Sequence, residues 1–402
     1  MNVSPARRAA YEVLLRVFEH EAYADRVFRT VAEGLDERER AFAQRLAYGA
    51  VQRARTLDYA IDTLGKRPVR KLDPPVRAAL RLGAYQLAYT DTAPHAAANE
   101  SVELVRRARL ERAVPFTNAV MRRLADGIHQ LLEALPDGPL KESYPDWIYE
   151  TWVRDLGADD ALALMRAMNE PLETVVRLVR GTPVGAATDI PGAYRVDRVD
   201  EAAVAEGRIW PQSRGSQLAG VVVGSQDGER VLDLCAAPGG KTTQLRGQVT
   251  AVELDPNRAS ELRQNLATLR ATSVAVLEAD GTHLPPELTG FDRALVDAPC
   301  SGLGVLAQRP DLRWRARPLP ELQLALLRSA AERVEPDGTI VYSVCTINAD
   351  ENERIVEASG LRVLPLGEEW PQFAHPHRPE FLLTLPHVHR TSGFFIARLA
   401  RV

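Results

Sequence analysis

Apolar side chains recur every three to four positions from about residue 4 to residue 134, as in Ala9, Val13, Leu14, Val17 and Phe18 and again in Val76, Leu80, Ala84 and Leu87. That spacing lines one face of an α-helix, so this stretch is predicted to form an all-α domain of several short helices. Pro74-Pro75 and Ala93-Pro94 punctuate it, because proline fits a helix start but not its interior. Leu135-Pro136-Asp137-Gly138-Pro139 reads as a linker and sets the first domain at residues 1–139. Residues 140–225 mix a helical stretch, Ala158 to Met168, with the β-like run Thr174-Val175-Val176-Arg177-Leu178-Val179, and continue through Trp210-Pro211-Gln212; they predict a small α/β connecting module. From Arg230 onward, short β-rich runs (Val231–Leu234, Val249–Leu254, Val274–Glu278, Ala294–Asp297, Thr339–Val344, Phe394–Ala397) alternate with helical ones. Such alternation predicts an α/β domain over residues 226–402, with a mostly parallel sheet covered on both faces. Ligands of such sheets sit at the carboxyl ends of the strands.

Composition adds bounds to this pattern. A chain of 402 residues suits two or three domains, and its 45% hydrophobic content is enough to bury their cores. Three cysteines without a CxxC pair, and no N-terminal apolar stretch of signal-peptide length, predict a soluble protein of a reducing cytoplasm. No run approaches the ~20 apolar residues of a membrane span. The net charge of −4 is unevenly spread: residues 1–140 carry 22 Lys and Arg against 18 Asp and Glu, residues 141–402 carry 28 against 36. The front of the chain is therefore its basic end. Only four lysines occur, Lys66, Lys71, Lys141 and Lys241, and the last stands inside a Gly-rich motif.

All three cysteines lie in motifs at predicted strand ends. Cys235 belongs to Asp233-Leu234-Cys235-Ala236-Ala237-Pro238-Gly239-Gly240-Lys241, a strand followed by a Gly-rich turn of the kind that holds a nucleotide-like cofactor. A Walker A loop would need Gly where Cys235 stands, and the pattern G-x-G-x-x-G is missing, so neither common phosphate-binding loop fits. Three acids mark the ends of successive predicted strands: Glu253 at the second, Asp280 just past the third and Asp297 at the fourth. A carboxylate at the second strand's end suits two ribose hydroxyls, and one in the next loop can accept from an exocyclic amine. Asp255-Pro256 also reads simply as the N-cap and first-turn proline of the next helix.

Cys300, in Asp297-Ala298-Pro299-Cys300-Ser301-Gly302, and Cys345, in Val341-Tyr342-Ser343-Val344-Cys345-Thr346, form the second constellation. Carbon-5 of cytosine is a poor nucleophile, and a thiolate added at carbon-6 makes it reactive because sulfur both attacks and leaves well. A second thiol nearby could assist release. One such cysteine alone reads as a small buried hydrophobe; two, each after a strand of one sheet and one near a carboxylate, point to chemistry. The residues themselves do not rank the two cysteines.

These motifs resemble the RNA cytosine-C5 methyltransferases of the RsmB (Sun/Fmu) type over essentially the whole chain. Asp233–Thr242 is similar to the family's S-adenosylmethionine motif, Ala251–Arg258 to its ribose-binding motif, and Asp280-Gly281 to its adenine contact. The resemblance implies a Rossmann-like methyltransferase domain that binds S-adenosylmethionine through Cys235, Ala236, Ala237, Pro238, Gly239, Gly240, Lys241, Glu253, Arg258, Asp280 and Asp297. It further implies Cys345, followed by Glu351-Asn352-Glu353, as nucleophile, Cys300 as the release cysteine, and Asp297 between methyl donor and base. Leu80–Tyr85, Asn99–Glu103 and Phe116–Arg123 resemble the NusB-like RNA-binding domain that is fused to the small-subunit rRNA branch of this family. Small-subunit ribosomal RNA is thus the implied partner, with cytosine-967 as target on the resemblance alone. Departures from the family pattern are Ala307-Gln308 where two basic residues are usual, Ser392 and Ser213 where Asp is common, and Val344 for a usual Thr.

Lys66, Arg67, Arg70, Lys71, Arg77 and Arg81 form the densest basic stretch, and Arg106, Arg107, Arg109 and Arg112 a second. With few aromatics interleaved, they fit backbone and shape recognition of folded RNA, or simply a solvated face. His375, His377, His387 and His389 lack acidic or cysteine ligands at matching spacing, so no metal is expected. Trp210 and Trp314 read as packing or as RNA-stacking residues. A monomer without membrane contact is expected, and a non-catalytic RNA-binding factor is the rival reading from another class.

Overall fold

The computed structural model describes residues 3–401. The chain divides into two compact units: one runs through Asn169 and includes Leu306–Arg315, the other comprises Glu170–Val305 and the chain from Ala316 onward.

The first unit is helical, as expected. Its main core is built by Pro5–Glu19, Ala24–Val31, Glu37–Gln52, Ala54–Gly65, Pro74–Tyr89, Pro94–Arg107 and Val114–Glu133. Ala9, Val13, Leu14, Val17, Val76, Leu80, Ala84 and Leu87 are all buried there, with Phe18 packed against them. Ser4 and Asp36 cap two helices by accepting from the backbone N–H of Arg7 and Glu39. Pro5, Pro74 and Pro94 stand in first turns, where the missing N–H costs nothing.

The boundary expected at residue 139 falls inside this unit. Helices Pro139–Glu142, Asp146–Leu156 and Ala158–Ala167 belong to it and not to a connecting module. Tyr144, Ile148, Trp152 and Leu164 are fully buried. Thr56 Oγ1 donates to the Leu140 carbonyl at 2.6 Å, and Arg55 grips Asp146 with bonds of 2.8 and 3.0 Å.

A more distant correction is Leu306–Arg315, drawn from the α/β part of the sequence. Arg313 is 1% exposed and donates to the carbonyls of Gln52, Glu142, Ser143 and Met168 at 3.2, 3.5, 3.4 and 3.1 Å. These carbonyls end three helices and have no partner inside them; a cation suits that end of the helix dipole. The Tyr144 ring lies 3.8 Å from the guanidinium carbon. Trp314 donates from Nε1 to the Val51 carbonyl at 2.7 Å, so it packs inside this unit.

In the second unit, β1 (Val175–Leu178), β2 (Ala186–Ala187), β3 (Ala193–Arg195) and β4 (Ile209–Pro211) form a small antiparallel sheet in the order β2-β3-β1-β4. The main sheet contains β5 (Arg230–Leu234), β6 (Gln248–Glu253), β7 (Val274–Glu278), β8 (Phe291–Asp297), β9 (Val334–Val344), β10 (Arg362–Leu364), β11 (Leu382–Thr384) and β12 (Phe394–Ala400). Its order is β10-β12-β9-β8-β5-β6-β7, with β11 paired to β12. Strands β5 to β9 are parallel; β12 runs antiparallel to β9, β10 and β11. Residues 294–296 and 340–342, six in unbroken apolar runs, are buried on both faces of the sheet. Strand order reverses at β5, which opens the ligand crevice at its carboxyl end and that of β8. Among the described residues no helix is long and apolar enough to cross a membrane.

Candidate active site

Parallel register gathers the site. Leu234 pairs with Val252 on one side and Val296 on the other, and Asp297 pairs with Ser343. The Gly-rich loop, Glu253, Asp297 and both cysteine loops therefore leave the sheet at one edge. Cys300 follows Asp297 by three residues and Cys345 follows Ser343 by two. Their sulfurs meet at 3.5 Å.

The pair is chemically unequal. Hydrogen bonding by Cys300 holds the Cys345 thiol below its ordinary value against the opposing effect of burial, with Lys241 assisting. The same bond, burial and the nearby Glu351 carboxylate push the Cys300 thiol well up. Such an arrangement supports a thiolate at Cys345 with Cys300 as its S–H donor. Asp297 is fixed at both oxygens: Lys241 Nζ lies 2.7 Å from Oδ2, and Ser343 Oγ donates to Oδ1 at 2.8 Å. Lys241 also sits 4.9 Å from the Phe394 ring centre. The lysine expected to line the cofactor loop is thus engaged with the site carboxylate.

The loop from Cys235 to Lys241 is held from beneath. Thr242 Oγ1 donates to Asp233 Oδ2 at 2.7 Å, Arg258 Nη2 to the Ala237 carbonyl at 2.6 Å, and Asn265 Nδ2 to the Pro238 carbonyl at 2.8 Å. Gly239 has φ +103° and a Cβ there would come within 2.7 Å of Leu262 Cδ1, so only glycine fits. Cys235 takes φ +63° although it carries a side chain, and burial drives its thiol far up, leaving it unreactive. Asp233 is 1% exposed, and burial pushes its carboxyl up to about 7.

Glu253 is 4% exposed at the end of β6 and accepts from Ala237 N at 3.3 Å and Asp255 N at 3.1 Å. Asp280 lies in the loop after β7, exposed, its carboxyl held down mainly by the Thr282 hydroxyl. The glycine cradle with its backbone free of Cβ, together with acceptors after two successive strands, fits the adenosine part of S-adenosylmethionine.

Several neighbours have roles here that the sequence did not indicate. Ser343 braces Asp297, and Arg177, buried with its guanidinium pushed down to about 10, donates to Thr243 Oγ1 at 2.6 Å under the Gly-rich loop. Trp210 Nε1 lies 3.1 Å from where a Gly240 Cβ would be. Glu351, 0% exposed, collects donors from both cysteine loops. In the sequence Trp210 reads only as packing or RNA-stacking and the Glu351-Asn352-Glu353 cluster only as part of the nucleophile motif, while Ser343 and Arg177 carry no signal of their own. The late histidines lie elsewhere: His375 Nε2 is 2.7 Å from Glu353 Oε1, and His389 Nδ1 accepts from Leu385 N at 2.7 Å. Arg77 and Arg81, in the basic stretch, pair with Glu19 and Asp58 inside the helical unit, whereas Lys66, Arg67, Arg70 and Lys71 are exposed.

Fold and site together define an S-adenosylmethionine-dependent methyltransferase that also carries a NusB-like helical part. Residues 221–400 match the family model described as 16S rRNA methyltransferase RsmB/F, and residues 4–126 match the NusB family. The chain is 33% identical to a probable ribosomal RNA small subunit methyltransferase B of Synechocystis, across 98% of this chain and 99% of that protein. It is 35% identical to a putative methyltransferase of Mycobacterium tuberculosis, across 100% and 97%. Among solved structures, PH0851 superposes with a TM-score of 0.83 at 23% identity over the full length of both chains. The chain belongs to the RsmB/F family of small-subunit ribosomal RNA methyltransferases.

Proposed function

We propose that this protein is a 16S rRNA (cytosine-C5)-methyltransferase working through a covalent cysteine adduct, with cytosine-967 as target on family resemblance alone. The observation that carries the reading is the pair of sulfurs 3.5 Å apart beside the Lys241–Asp297 ion pair. The Cys345 thiolate adds to carbon-6 of the base, and Asp297 orients and activates the ring. S-adenosylmethionine, held by residues 235–241, Glu253, Arg258, Asp280 and Asp297, supplies the methyl group at carbon-5. Cys300 assists elimination: the carbon-5 proton leaves, the sulfur–carbon bond breaks, and Cys345 is regenerated. Exposed Lys66, Arg67, Arg70 and Lys71 contact RNA phosphates. The protein acts in the cytoplasm.

A denaturing gel tests this reading. Cys300→Ala, incubated with S-adenosylmethionine and unmethylated small-subunit rRNA, should give a slow-migrating protein–RNA band that vanishes in Cys300→Ala/Cys345→Ala. Methylation persisting in Cys345→Ala would overturn the assigned roles, and a Cys345→Ala protein with intact function would favour a binding factor.

A further inference from the structure

We infer that Glu351 is a positioning residue whose carboxylate clamps the Cys300 and Cys345 loops together and so sets the distance between the two sulfurs. Ser301, next to Cys300, donates its backbone N–H to Oε1 at 2.9 Å and its hydroxyl to Oε2. Thr346, next to Cys345, reaches Oε2 at 3.4 Å, and the two hydroxyls touch each other at 2.8 Å. Leu319 N and Gln323 Nε2 donate to Oε1 at 3.1 and 2.9 Å, and Asn348 Nδ2 to Oε2 at 3.4 Å. Gln323 also donates to the Pro299 carbonyl at 2.9 Å, tying the residue before Cys300 to the same knot.

Six donor groups thus surround two oxygens of a side chain that is 0% exposed, the Thr346 hydrogen being shared between Oε2 and Ser301 Oγ. Only a carboxylate offers acceptor capacity at both ends; an amide would turn an NH₂ group toward three of the donors. No lysine or arginine pairs with Glu351 among the described residues, so the clamp consists of neutral donors. Tyr342 holds the clamp's own backbone, donating its hydroxyl to the Glu351 carbonyl at 2.6 Å. Every one of these groups belongs to the second unit. Buried polar knots of this kind hold one geometry through the bonds they make, and here both Glu351 oxygens are engaged while Gln323 Oε1 has no partner among the described residues.

The inference deepens the proposed function but is tested apart from it, with phenylarsine oxide as probe. The reagent bridges two adjacent thiols: two As–S bonds form, and the thiol protons leave with the arsenic-bound oxygen as water. Bridging of Cys300 to Cys345 is followed by mass spectrometry, alongside single-thiol alkylation by iodoacetamide, circular dichroism and calorimetric binding of S-adenosylmethionine. In Glu351→Gln, bridging should slow about tenfold or more relative to alkylation, since displacements near 1 Å carry losses of that size or larger. Fold and cofactor binding should persist, and Glu351→Asp should restore part of the rate. If Glu351→Gln does not fold, Glu351→Asp decides, with an expected several-fold loss. Wild-type bridging in the folded variant overturns the clamp. Failure of the adduct gel with normal bridging behaviour would instead overturn the proposed reaction.

Discussion

In the proposed reaction, replacing Cys300 by alanine should make Cys345 a weaker nucleophile as well as block release. The Cys300 S–H is the largest influence lowering the Cys345 thiol. A hydrogen bond to an ionised group contributes about 1.5–3 kcal/mol net. A thiol is a weak donor, and the contact is 3.5 Å long, so a smaller contribution of about 1–1.4 kcal/mol applies. That corresponds to roughly five- to tenfold less thiolate at a fixed pH below the titration midpoint. Removing the side chain also admits water, which acts in the opposite direction by easing burial, the second influence on this thiol. The hydrogen bond is the larger of the two and should prevail. The assay is the rate of Cys345 alkylation by iodoacetamide from pH 6 to pH 10, the plateau at high pH correcting for altered access. A plateau-corrected rate at pH 7 that is unchanged or faster in Cys300→Ala would refute the reasoning and leave Lys241 as the source of any activation.

Asp233 should make stability fall as pH rises. Its folded carboxyl titrates near 7 against about 3.9 unfolded, so the fold holds the proton more tightly; the benefit is full below about pH 4 and is lost as pH rises through about 7. Asp233→Asn should flatten urea midpoints between pH 5 and pH 8 and be the more stable protein at pH 8, by a few kcal/mol at most. Arg313→Ala should destabilise the helical unit by about 2–4 kcal/mol in urea melts, because the Gln52 and Ser143 carbonyls lose its bonds and those of Met168 and Glu142 keep only Gln52 Nε2 and Asn169 Nδ2, while relief of a desolvated cation offsets part of the cost. An unchanged melt would show that water replaces it. Neutralising Lys66, Arg67, Arg70 and Lys71 together should weaken rRNA binding across sequences and reduce the slope of log affinity against log salt by as much as about 3–4. An unchanged slope would make this stretch a solvated face.

What the sequence determined by itself was local. Helical spacing between residues 4 and 134 and strand-and-helix alternation after Arg230 follow from which side chains can be buried on a face of period 3.6 or 2. The motif residues stand out in the sequence because Gly, Pro, Cys and acidic residues at strand ends have few other uses. Long-range placement was the part that only the tertiary structure decided. Nothing in the spacing of Leu306–Arg315 indicates that Arg313 closes three helix ends in the first unit, since the carbonyls it satisfies lie at least 145 residues away along the chain. The helices after residue 139 likewise followed the buried Tyr144 and Trp152 into that unit across a proline-rich turn that resembled a linker. The inequality of the two cysteines was equally invisible, because it comes chiefly from the hydrogen bond between the two sulfurs and from their burial, with Lys241 acting on Cys345 and Glu351 on Cys300. Ionisation depends on distances across strands, and those exist only once the sheet has formed.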